Sequence, residues 1–300
     1  MDLHLLKNIV SIADEKSITK AAEKRFITQS ALNQQLQKLE EELGTPLFIR
    51  VRNNWQPTEA GETYLAAARQ MLLLKRDTYR RIADHAEKAR HHLAVGLIPE
   101  RGIEMFTAVY PEFHSAFPDV QVEPQECAVS EMQRLITSGQ IDLGLATLVE
   151  KQRDENIYHL LAEEEILLAV PSEHPLAQNR NADAEIDLSL FSDEPFVRIY
   201  QRSTMFSIEE ELFKQAGFEP RVLFSTASCQ SKYRMVALGM GCSFLPAVYA
   251  IPNDSVTYFH LPQRPTWQIT LCSRQDGYLG RPEKYYMALC KKYWEAKERK

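Results

Sequence analysis

Leucine recurs along residues 28–44 with the spacing of an α-helix. The positions i, i+4, i+7 and i+11 of one apolar stripe are Leu32, Leu36, Leu39 and Leu43. Thr28 is predicted to cap the first turn, and Gly44 stands where a left-handed residue commonly ends a helix. The other side carries amides, a hydroxyl group and one lysine, on Gln29, Ser30, Asn33, Gln34, Gln37 and Lys38. This composition is typical of a helix face that bonds to a partner, since a merely solvated face usually carries more charge.

A shorter helical pattern at residues 18–25 precedes the leucine helix, and only Phe26 and Ile27 separate the two. Two helices joined so tightly, with Ala21 and Ala22 allowing close approach, are typical of a helix-turn-helix whose second helix enters a DNA major groove. An ordinary helical hairpin with a polar outer face has the same spacing. The two helices alone therefore leave both interpretations open.

Residues 47–57 favour the DNA-binding interpretation. Strand-like stretches flank an Asn-Asn turn, and Arg50 and Arg52, two positions apart, are predicted to share one face. A basic hairpin after a helix-turn-helix is a wing, placed to touch phosphates or the minor groove. Asn and Gln side chains can pair with adenine, whereas Lys reaches guanine or phosphate. The candidate DNA-contacting residues are Lys20, Thr28, Gln29, Ser30, Asn33, Gln34, Lys38, Arg50 and Arg52.

From Thr58 the pattern predicts one long helix that reaches about residue 90. Apolar residues repeat every seven positions, at Leu65, Leu72, Tyr79 and Ala86, with Ala68, Ile82 and Ala89 at the matching second position. A helix of about 30 residues extends ~45 Å, which is longer than a small domain needs and favours packing against a second copy. Because Lys75 interrupts this seam, a connector that lies on its own protein stays open as the alternative.

From residue 92 the pattern changes to short strands that alternate with helices. The first set is predicted as strands at 93–98, 120–124 and 141–146, with helices at 106–117 and from Ser130 to 139, the latter opened by a capping box with Gln133. The second set is predicted as strands at 166–170, 196–200, 221–225, 242–245, 256–261 and 267–273, with helices at 203–216, 228–238 and 281–294. This alternation predicts two α/β lobes around a cleft, with a mainly parallel sheet.

Net charge divides unevenly along the chain. The total is −6, but residues 1–90 hold 15 Lys and Arg against 12 Asp and Glu, and residues 91–300 hold 20 against 29. The basic excess of +3 thus falls in the predicted DNA-binding segment. Five widely spaced cysteines form no Cys-x-x-Cys pair, which indicates neither a disulfide framework nor a zinc site and fits a reducing cytoplasm. We expect no signal peptide and no membrane span.

The chain resembles LysR-type transcriptional regulators over nearly its whole length. The N-terminal motifs are Ser17-Ile18-Thr19-Lys20-Ala21-Ala22, Gln29-Ser30-Ala31-Leu32, Leu39-Glu40-Glu41-Glu42-Leu43-Gly44, Leu47-Phe48, Arg50 and Thr58-Glu59-Ala60-Gly61. Looser matches follow at Gly139-Gln140-Ile141-Asp142-Leu143, Pro171-Ser172-Glu173-His174-Pro175-Leu176, Ala216-Gly217-Phe218 and Gly239-Met240-Gly241. Family members usually have Pro where Ser30 stands and often Ser-Arg where Asn33 and Gln34 stand, so this recognition helix is less basic than usual.

The resemblance implies an α/β protein with an N-terminal winged helix-turn-helix at 1–58, a linker helix at 59–90 and an effector-binding domain at 91–300. The last would be two-lobed and periplasmic-binding-protein-like, with lobe I at 91–162 and 266–300 and lobe II at 163–265. The implied partners are promoter or operator DNA, a small-molecule effector and further copies of the chain in a homodimer or homotetramer. The linker helix would pair the DNA-binding domains.

Ligands of open α/β sheets collect at the carboxyl ends of strands, where helix N-termini offer free amides. Applied to this chain, the rule brings together Pro99, Glu100, Arg101, Val129, Ser130, Arg202, Ser203, Thr204 and Ser228. Arg101 and Arg202 would face one another across the cleft, and we expect a small anionic effector, held by hydroxyl groups and one or both arginines. The alternative is that the arginines pair with Glu100, Glu104 or Glu209 and bind no effector.

Two other classes of protein fit parts of the sequence. Residues 239–243 faintly resemble the nucleophile turn of a hydrolase, with His174 or His260 as a base, but no third orienting group can be assigned, so we expect no enzyme. Nor does the sequence indicate a metal site or a phosphate-binding loop, and no cofactor is expected. A solute-binding protein without DNA function would share the two lobes but leave the first ninety residues unexplained.

Overall fold

The computed structural model of the protein describes residues 2–52, 54–85, 92–178, 185–251 and 254–298. Contacts divide the chain into two compact units, Met1–Lys88 and Ala89–Lys300. Across the described residues, every helix is too short or too polar to cross a membrane. The first unit contains α1 (Leu3–Glu15), α2 (Ile18–Lys24), α3 (Gln29–Leu43), β1 (Phe48–Val51), β2 (Asn54–Pro57) and α4 (Glu59–His85).

The predicted leucine helix is confirmed as α3. Thr28 is its N-cap, and Gly44 ends it with φ +67°. Three leucines of the stripe, Leu32, Leu36 and Leu39, are buried in the core of the first unit. The fourth, Leu43, has the stripe spacing but is 46% exposed, because it is the last residue of the helix and the chain turns away at Gly44.

The ends of two helices hold the base of the β1–β2 hairpin. Glu40 Oε1, on α3, accepts hydrogen bonds from Leu47 N at 2.7 Å and from Phe48 N at 3.2 Å. At the start of α4, Thr58 N donates to Leu47 O at 2.9 Å. Gly61 lies so close to the same carbonyl group that a Cβ there would stand 2.0 Å from Leu47 O. Only glycine fits this approach, which fixes the wing against the helices.

The second unit alternates strands and helices. Its elements are β3 (His92–Leu97), α5 (Arg101–Ala116), β4 (Gln121–Glu126), α6 (Val129–Thr137), β5 (Leu143–Leu148), β6 (Ile157–Pro171), α7 (Pro175–Gln178), β7 (Pro195–Ile199), α8 (Thr204–Ala216), β8 (Arg221–Thr226), α9 (Cys229–Ala237), β9 (Ser243–Pro246), β10 (Val256–Phe259), β11 (Thr266–Ser273) and α10 (Arg281–Glu298). Short 3-10 turns lie at Glu150–Gln152, Leu188–Phe191 and Ala247–Tyr249.

A seven-stranded sheet of order β10-β6-β11-β5-β3-β4, with β9 also beside β6, runs through this unit. The expected mainly parallel sheet is wrong. Within this sheet, as far as the structure describes it, only β3 with β4 and β3 with β5 pair in parallel, whereas the four pairings of β6 and β11 are antiparallel. These two strands carry the chain between the lobes in opposite directions, and no crossover helix returns either of them to a parallel course. A separate pair, β7 and β8, is parallel.

Three hydrophobic clusters define the lobes, two in lobe I and one in lobe II. Lobe I comprises β3, β4, β5, β11, α5, α6 and α10, and lobe II comprises α7 to α9 and β7 to β10. Strand β6 runs through both, since residues 157–165 pair with β11 and residues 166–171 pair with β9 and β10. The predicted capping box at Ser130 is wrong. The N-cap of α6 is Ala128, and Gln133 Nε2 instead donates to Gln152 O at 2.7 Å and to Tyr158 Oη at 2.8 Å.

Candidate functional site

The polar face of α3 lies at the surface of the first unit. Thr28 Oγ1 accepts a hydrogen bond from Ala31 N at 3.1 Å, which satisfies an amide of the first turn. The exposed residues among the DNA-contacting candidates on α2 and α3 are Lys20, Thr28, Gln29, Ser30, Gln34 and Lys38, and Asn33 is half-buried. The fold thus gathers these side chains on the surface opposite the leucine core.

A buried amide network orients this helix. Asn8, on α1, is 7% exposed. Its Nδ2 donates to Gln35 Oε1 of α3 at 2.8 Å, and its Oδ1 accepts from Arg25 Nε, at the end of α2, at 3.0 Å. One asparagine therefore links all three helices of the helix-turn-helix region. Sequence reasoning missed it, although a polar residue on the apolar face of α1 was the available signal.

The wing carries both candidate arginines, but not on one strand face. Arg50 lies in β1 opposite Trp55 of β2. Arg52 lies beyond β1, in the turn, with φ +47°. The expected shared face is therefore wrong, because side chains alternate only within a strand. Both arginines are exposed.

Phe26 is a surface residue that the sequence did not single out. It stands in the turn between α2 and α3, is 96% exposed and has φ +56°. Positive φ is unfavourable for a bulky side chain, and an aromatic ring left in water receives none of the stabilisation that burial of apolar surface provides. Strain and exposure together make Phe26 a candidate contact beside the recognition helix.

Helix α4 exposes two residues of the predicted seam, Tyr79 and Ile82, beside two others, Met71 and Leu74. Leu65 and Ala68 are 1% and 0% exposed, because they pack inside the first unit, and Leu72 is half-buried. Ala86 and Ala89 lie outside the described residues. The exposed apolar residues of α4 are Met71 at 41%, Leu74 at 70%, Tyr79 at 65% and Ile82 at 60%. These four residues are the exposed stripe of α4.

A cavity of about 370 Å³ lies between the lobes of the second unit. Its apolar wall includes Ile98, Ile199, Met205, Pro246 and Trp267. Of the effector-contacting candidates, the lining residues are Pro99, Glu100, Arg101, Val129, Arg202, Ser203 and Thr204. Ser130 and Ser228 do not line the cavity. Ser130 is exposed as the second residue of α6, and the Ser228 hydroxyl group donates a hydrogen bond to Glu100.

Glu100 forms a strained turn of lobe I. Its φ and ψ are 60° and −75°, and Arg101 N donates to Pro99 O at 2.8 Å. This is a γ-turn of the rare positive-φ type, a conformation that costs about 1–3 kcal/mol and is held by its surroundings. The carboxylate accepts from Ser228 Oγ at 2.7 Å, Cys229 N at 3.2 Å, Gln230 N at 3.4 Å and Tyr249 Oη at 3.1 Å, all in lobe II.

Tyr249 is suited to its role as a donor to Glu100. Burial first, and then the negative charge of Glu100, raises the pKa of this phenol well above its ordinary value. The hydroxyl group consequently keeps its proton over the physiological range. The Glu100 carboxylate thus meets two hydroxyl donors and two backbone amides.

The two arginines line the cavity from opposite lobes but differ in their partners. Arg101 is 9% exposed and pairs with Glu164 and with Glu104, the latter at 3.3 Å. The alternative that the arginines are paired therefore holds for Arg101. Its partners are Glu104, which was predicted, and Glu164, which was not. Arg202 is exposed, has φ +73° and forms no hydrogen bond or ion pair with the residues that the structure describes. A donor is also left over on Arg101, whose buried Nε has no acceptor there.

Two helices begin at the cavity wall. Helix α8 is capped by Ser203, whose Oγ accepts from Phe206 N at 3.1 Å. Thr204 is 3% exposed, and its hydroxyl group donates to Thr147 O at 2.7 Å. Helix α6 follows Ala128, whose methyl group accepts no hydrogen bond, and both Ala128 and Val129 line the cavity. Of these two helix ends, only that of α6 lacks a capping side chain.

A buried charge cluster fixes the helices of lobe II. Glu209 on α8 and Lys232 on α9 are both 0% exposed, with Lys232 Nζ 2.7 Å from Glu209 Oε1. Arg198 on β7 places Nε 3.0 Å from Glu209 Oε2 and Nη2 2.7 Å from Glu210 Oε1. These ion pairs hold α8 and α9, which both begin beside the cavity, against one strand.

All five cysteines are free thiols among the described residues. Burial raises the pKa of Cys229, Cys242, Cys272 and Cys290 to about 12. Burial and the charge of Glu131 raise the pKa of Cys127 to about 11. Reactive thiolates are therefore scarce near neutral pH.

A winged helix-turn-helix in one unit and a two-lobed domain with a ligand-sized cavity in the other define a DNA-binding protein that responds to a ligand. Residues 3–62 match the family model described as "Bacterial regulatory helix-turn-helix protein, lysR family", and residues 86–294 match "LysR substrate binding domain". The chain belongs to the LysR family, and it is a DNA-binding transcriptional regulator with an effector-binding domain, not an enzyme.

Curated relatives and solved structures agree. The chain is 27% identical over 268 residues to the HTH-type transcriptional regulator AlsR of Bacillus subtilis, covering 88% of this chain and 86% of AlsR. It is 27% identical over 256 residues to a hydrogen peroxide-inducible genes activator of Dickeya chrysanthemi, covering 85% and 82%. A full-length OxyR variant of Pseudomonas aeruginosa shares the fold, with a TM-score of 0.70 and 22% identity over 98% and 95% of the two chains.

Proposed function

We propose that this regulator responds to a small organic anion, a carboxylate on an apolar body, which binds in the cavity between the lobes. The observation that carries the proposal is Arg202: of the charged residues that line the cavity, Glu100 and Arg101 are bonded within the described protein and Arg202 is not. The unsatisfied Nε of Arg101 and the uncapped start of α6 supply further donors. An acidic group among them would gain charge-assisted hydrogen bonds.

The size and composition of the cavity support the same class of ligand. A volume of about 370 Å³ suits a small metabolite. Ile199, Met205 and Trp267 would bury an aliphatic or aromatic body, while the arginines hold the acidic end. Binding would therefore combine apolar burial with one charged contact.

A thermal-shift screen of aliphatic and aromatic carboxylates would find a ligand, and calorimetry would then test the site. Arg202→Ala is expected to weaken binding of the strongest hit by about 10- to 100-fold, the range of a lost charge-assisted hydrogen bond. Arg221→Ala, which removes an exposed cation from β8 of the same lobe, is the matched control and should leave affinity unchanged. Equal affinity of the Arg202 variant and the wild-type protein would remove Arg202 from the site.

For DNA, we propose that the exposed amides of α3, chiefly Gln34, read base edges, while Arg50 and Arg52 contact phosphates from the wing. Gln34→Ala should cost about 1–3 kcal/mol on the cognate site only, and Arg52→Ala should weaken cognate and random DNA alike. Fluorescence anisotropy at two salt concentrations measures both effects. Equal losses on both DNAs for Gln34→Ala would retire its assignment as a base reader. The location that suits such a protein is the bacterial cytoplasm, which holds the chromosome.

We further propose that the exposed stripe of α4 pairs two copies of the chain. Its four apolar residues, Met71, Leu74, Tyr79 and Ile82, are 41–70% exposed in the single chain, which leaves a large apolar area to be buried by a partner. Leu74→Glu should shift sedimentation velocity towards the monomer. Ala66→Glu, which adds the same charge at an exposed position on the other side of α4, is the control.

Peroxide sensing, suggested by the name of the Dickeya relative, is not proposed for this chain. A peroxide sensor needs an exposed thiol of low pKa, whereas the thiols of this chain have pKa values of about 11 or 12 because of burial. Four of the five cysteines are buried as well. The apolar, arginine-bearing cavity favours a bound metabolite.

A further inference from the structure

Glu100 joins the two lobes through a carboxylate site made entirely by lobe II. Its Oε1 accepts from Ser228 Oγ and Gln230 N, and its Oε2 accepts from Cys229 N and Tyr249 Oη. Backbone amides at the start of α9 and two hydroxyl donors are the groups with which proteins bind free anions. Here the anion is a side chain of the same protein, 128–149 residues distant along the sequence.

The backbone of Glu100 is strained in the same place. With φ 60° and ψ −75°, the residue occupies a turn that side-chain-bearing residues rarely adopt. Such a conformation persists only where surrounding contacts over-determine it. Within lobe I, backbone hydrogen bonds from Arg101 N to Pro99 O and from Gly102 N to Ile98 O close the turn. The four hydrogen bonds to lobe II are the contacts that hold the Glu100 side chain.

We propose that Glu100 is a built-in ligand of the cleft: its carboxylate occupies the anion position at the start of α9, clasps lobe II to lobe I, and restricts the effector to one acidic group. This restriction rests on the proposed function, since it assumes that the effector's anionic group binds beside Arg202. A second acidic group reaching towards α9 would meet the charge of Glu100 and find the amides already bonded. The cleft is thus selective for a monocarboxylate over a dicarboxylate of similar size.

Chemical rescue tests the clasp with no DNA and no effector. Glu100→Gly removes the carboxylate, and glycine accepts positive φ, so no other side chain is forced into the turn. Added sodium acetate is expected to refill the vacated position and raise the thermal midpoint of the full-length variant, followed by tryptophan fluorescence, relative to equal sodium chloride. For an acetate Kd of about 10 mM, 100 mM acetate would raise the midpoint by about 2–4 °C.

Glu104→Ala is the matched control. It removes a carboxylate from the first turn of α5, where the partners are the side chains of Arg101, Lys297 and Tyr293 and no backbone amide of α9 takes part. The wild-type protein and this control should show the same, smaller response to acetate over chloride, because only the position beside Arg202 is open to acetate in them. Acetate that fails to stabilise Glu100→Gly beyond chloride, or that stabilises all three proteins alike, would overturn the proposal.

Hydrogen–deuterium exchange keeps the test decisive if the glycine variant does not fold. Glu100→Gln preserves size but replaces a charged acceptor with a neutral one, so the amides of Cys229 and Gln230 should exchange about tenfold faster than in the wild-type protein. Equal exchange would overturn the proposal. Because neither readout involves DNA or a metabolite, loss of operator binding or of the Arg202 effect would refute the proposed function and leave these results standing.

Discussion

In the buried charge cluster of lobe II, removing the charge of Glu209 and removing the charge of Lys232 should lower the free energy of unfolding by unequal amounts. Glu209 and Lys232 are both fully buried, but Glu209 has two cationic partners and Lys232 has one anionic partner. Glu209→Gln leaves an ammonium group buried without an opposite charge. Lys232→Met leaves Glu209 still paired with Arg198. Deleting the anion should therefore destabilise the protein more than deleting the lysine.

The magnitudes follow from these contacts. Stranding Lys232 by Glu209→Gln is expected to cost about 3–5 kcal/mol. Lys232→Met removes one charged hydrogen bond and is expected to cost about 1.5–3 kcal/mol. Glu210→Gln is the control, because the Glu210 side chain is 54% exposed and an exposed ion pair contributes about 0–1 kcal/mol.

Urea unfolding of the full-length variants, followed by tryptophan fluorescence, measures this order. Trp267 lies in the core of lobe II and reports on its packing. The double variant Glu209→Leu with Lys232→Met should be more stable than Glu209→Gln alone, since two apolar side chains leave no buried charge unpaired between them. If Glu209→Gln proved no more costly than Lys232→Met, the reasoning from unpaired burial would be refuted.

Three further expectations concern other parts of the chain. Gly61→Ala should lower the free energy of unfolding of the first unit by about 1–3 kcal/mol, because its Cβ would stand 2.0 Å from Leu47 O. The thermal midpoint should fall accordingly, and an unchanged midpoint would contradict this. Hydrogen peroxide should leave operator affinity unchanged in an anisotropy titration, since at pH 8 a pKa of about 11 leaves about one Cys127 in a thousand as thiolate. A loss of operator affinity that dithiothreitol reverses would refute this expectation. Burial alone would raise the pKa of Glu104, but the hydrogen bond and the charge of Lys297 lower this pKa below its ordinary value of 4.5. The stability that ionised Glu104 contributes is therefore present above pH 4.5 and lost as the pH falls further. Glu104→Gln should therefore flatten the acid side of a melting-temperature profile, and a profile as steep as that of the wild-type protein would contradict the assignment.

The sequence predicted best what depends on neighbours along the chain. The leucine spacing of α3, its cap at Thr28 and its end at Gly44 are local, and the structure confirms them. Leu65 and Ala68 have the spacing of a seam, but periodicity does not distinguish a face that packs within its own unit from one left for a partner. By the same limit, Leu43 has the spacing of the α3 stripe and is nevertheless exposed.

What the sequence could not supply are contacts between distant residues. The bonds from Ser228 and Tyr249 to Glu100 span 128 and 149 residues, and the pairing of Arg101 with Glu164 spans 63. Rules for strand ends correctly brought Glu100 and Arg202 to one cavity, but they could not show that the first is bonded and the second is not. Similarly, the Asn8 network depends on how three helices cross, and the spacing of residues along the chain does not predict that crossing.

Strand β6 constrains how a metabolite signal could leave the cavity. This strand runs through both lobes and changes hydrogen-bonding partners between residues 165 and 166, from β11 on one side to β9 and β10 on the other. A bend at this point would turn one lobe against the other and leave the pairings within each lobe intact. Closure of the lobes around an effector would therefore act on the backbone of β6 at residues 165 and 166.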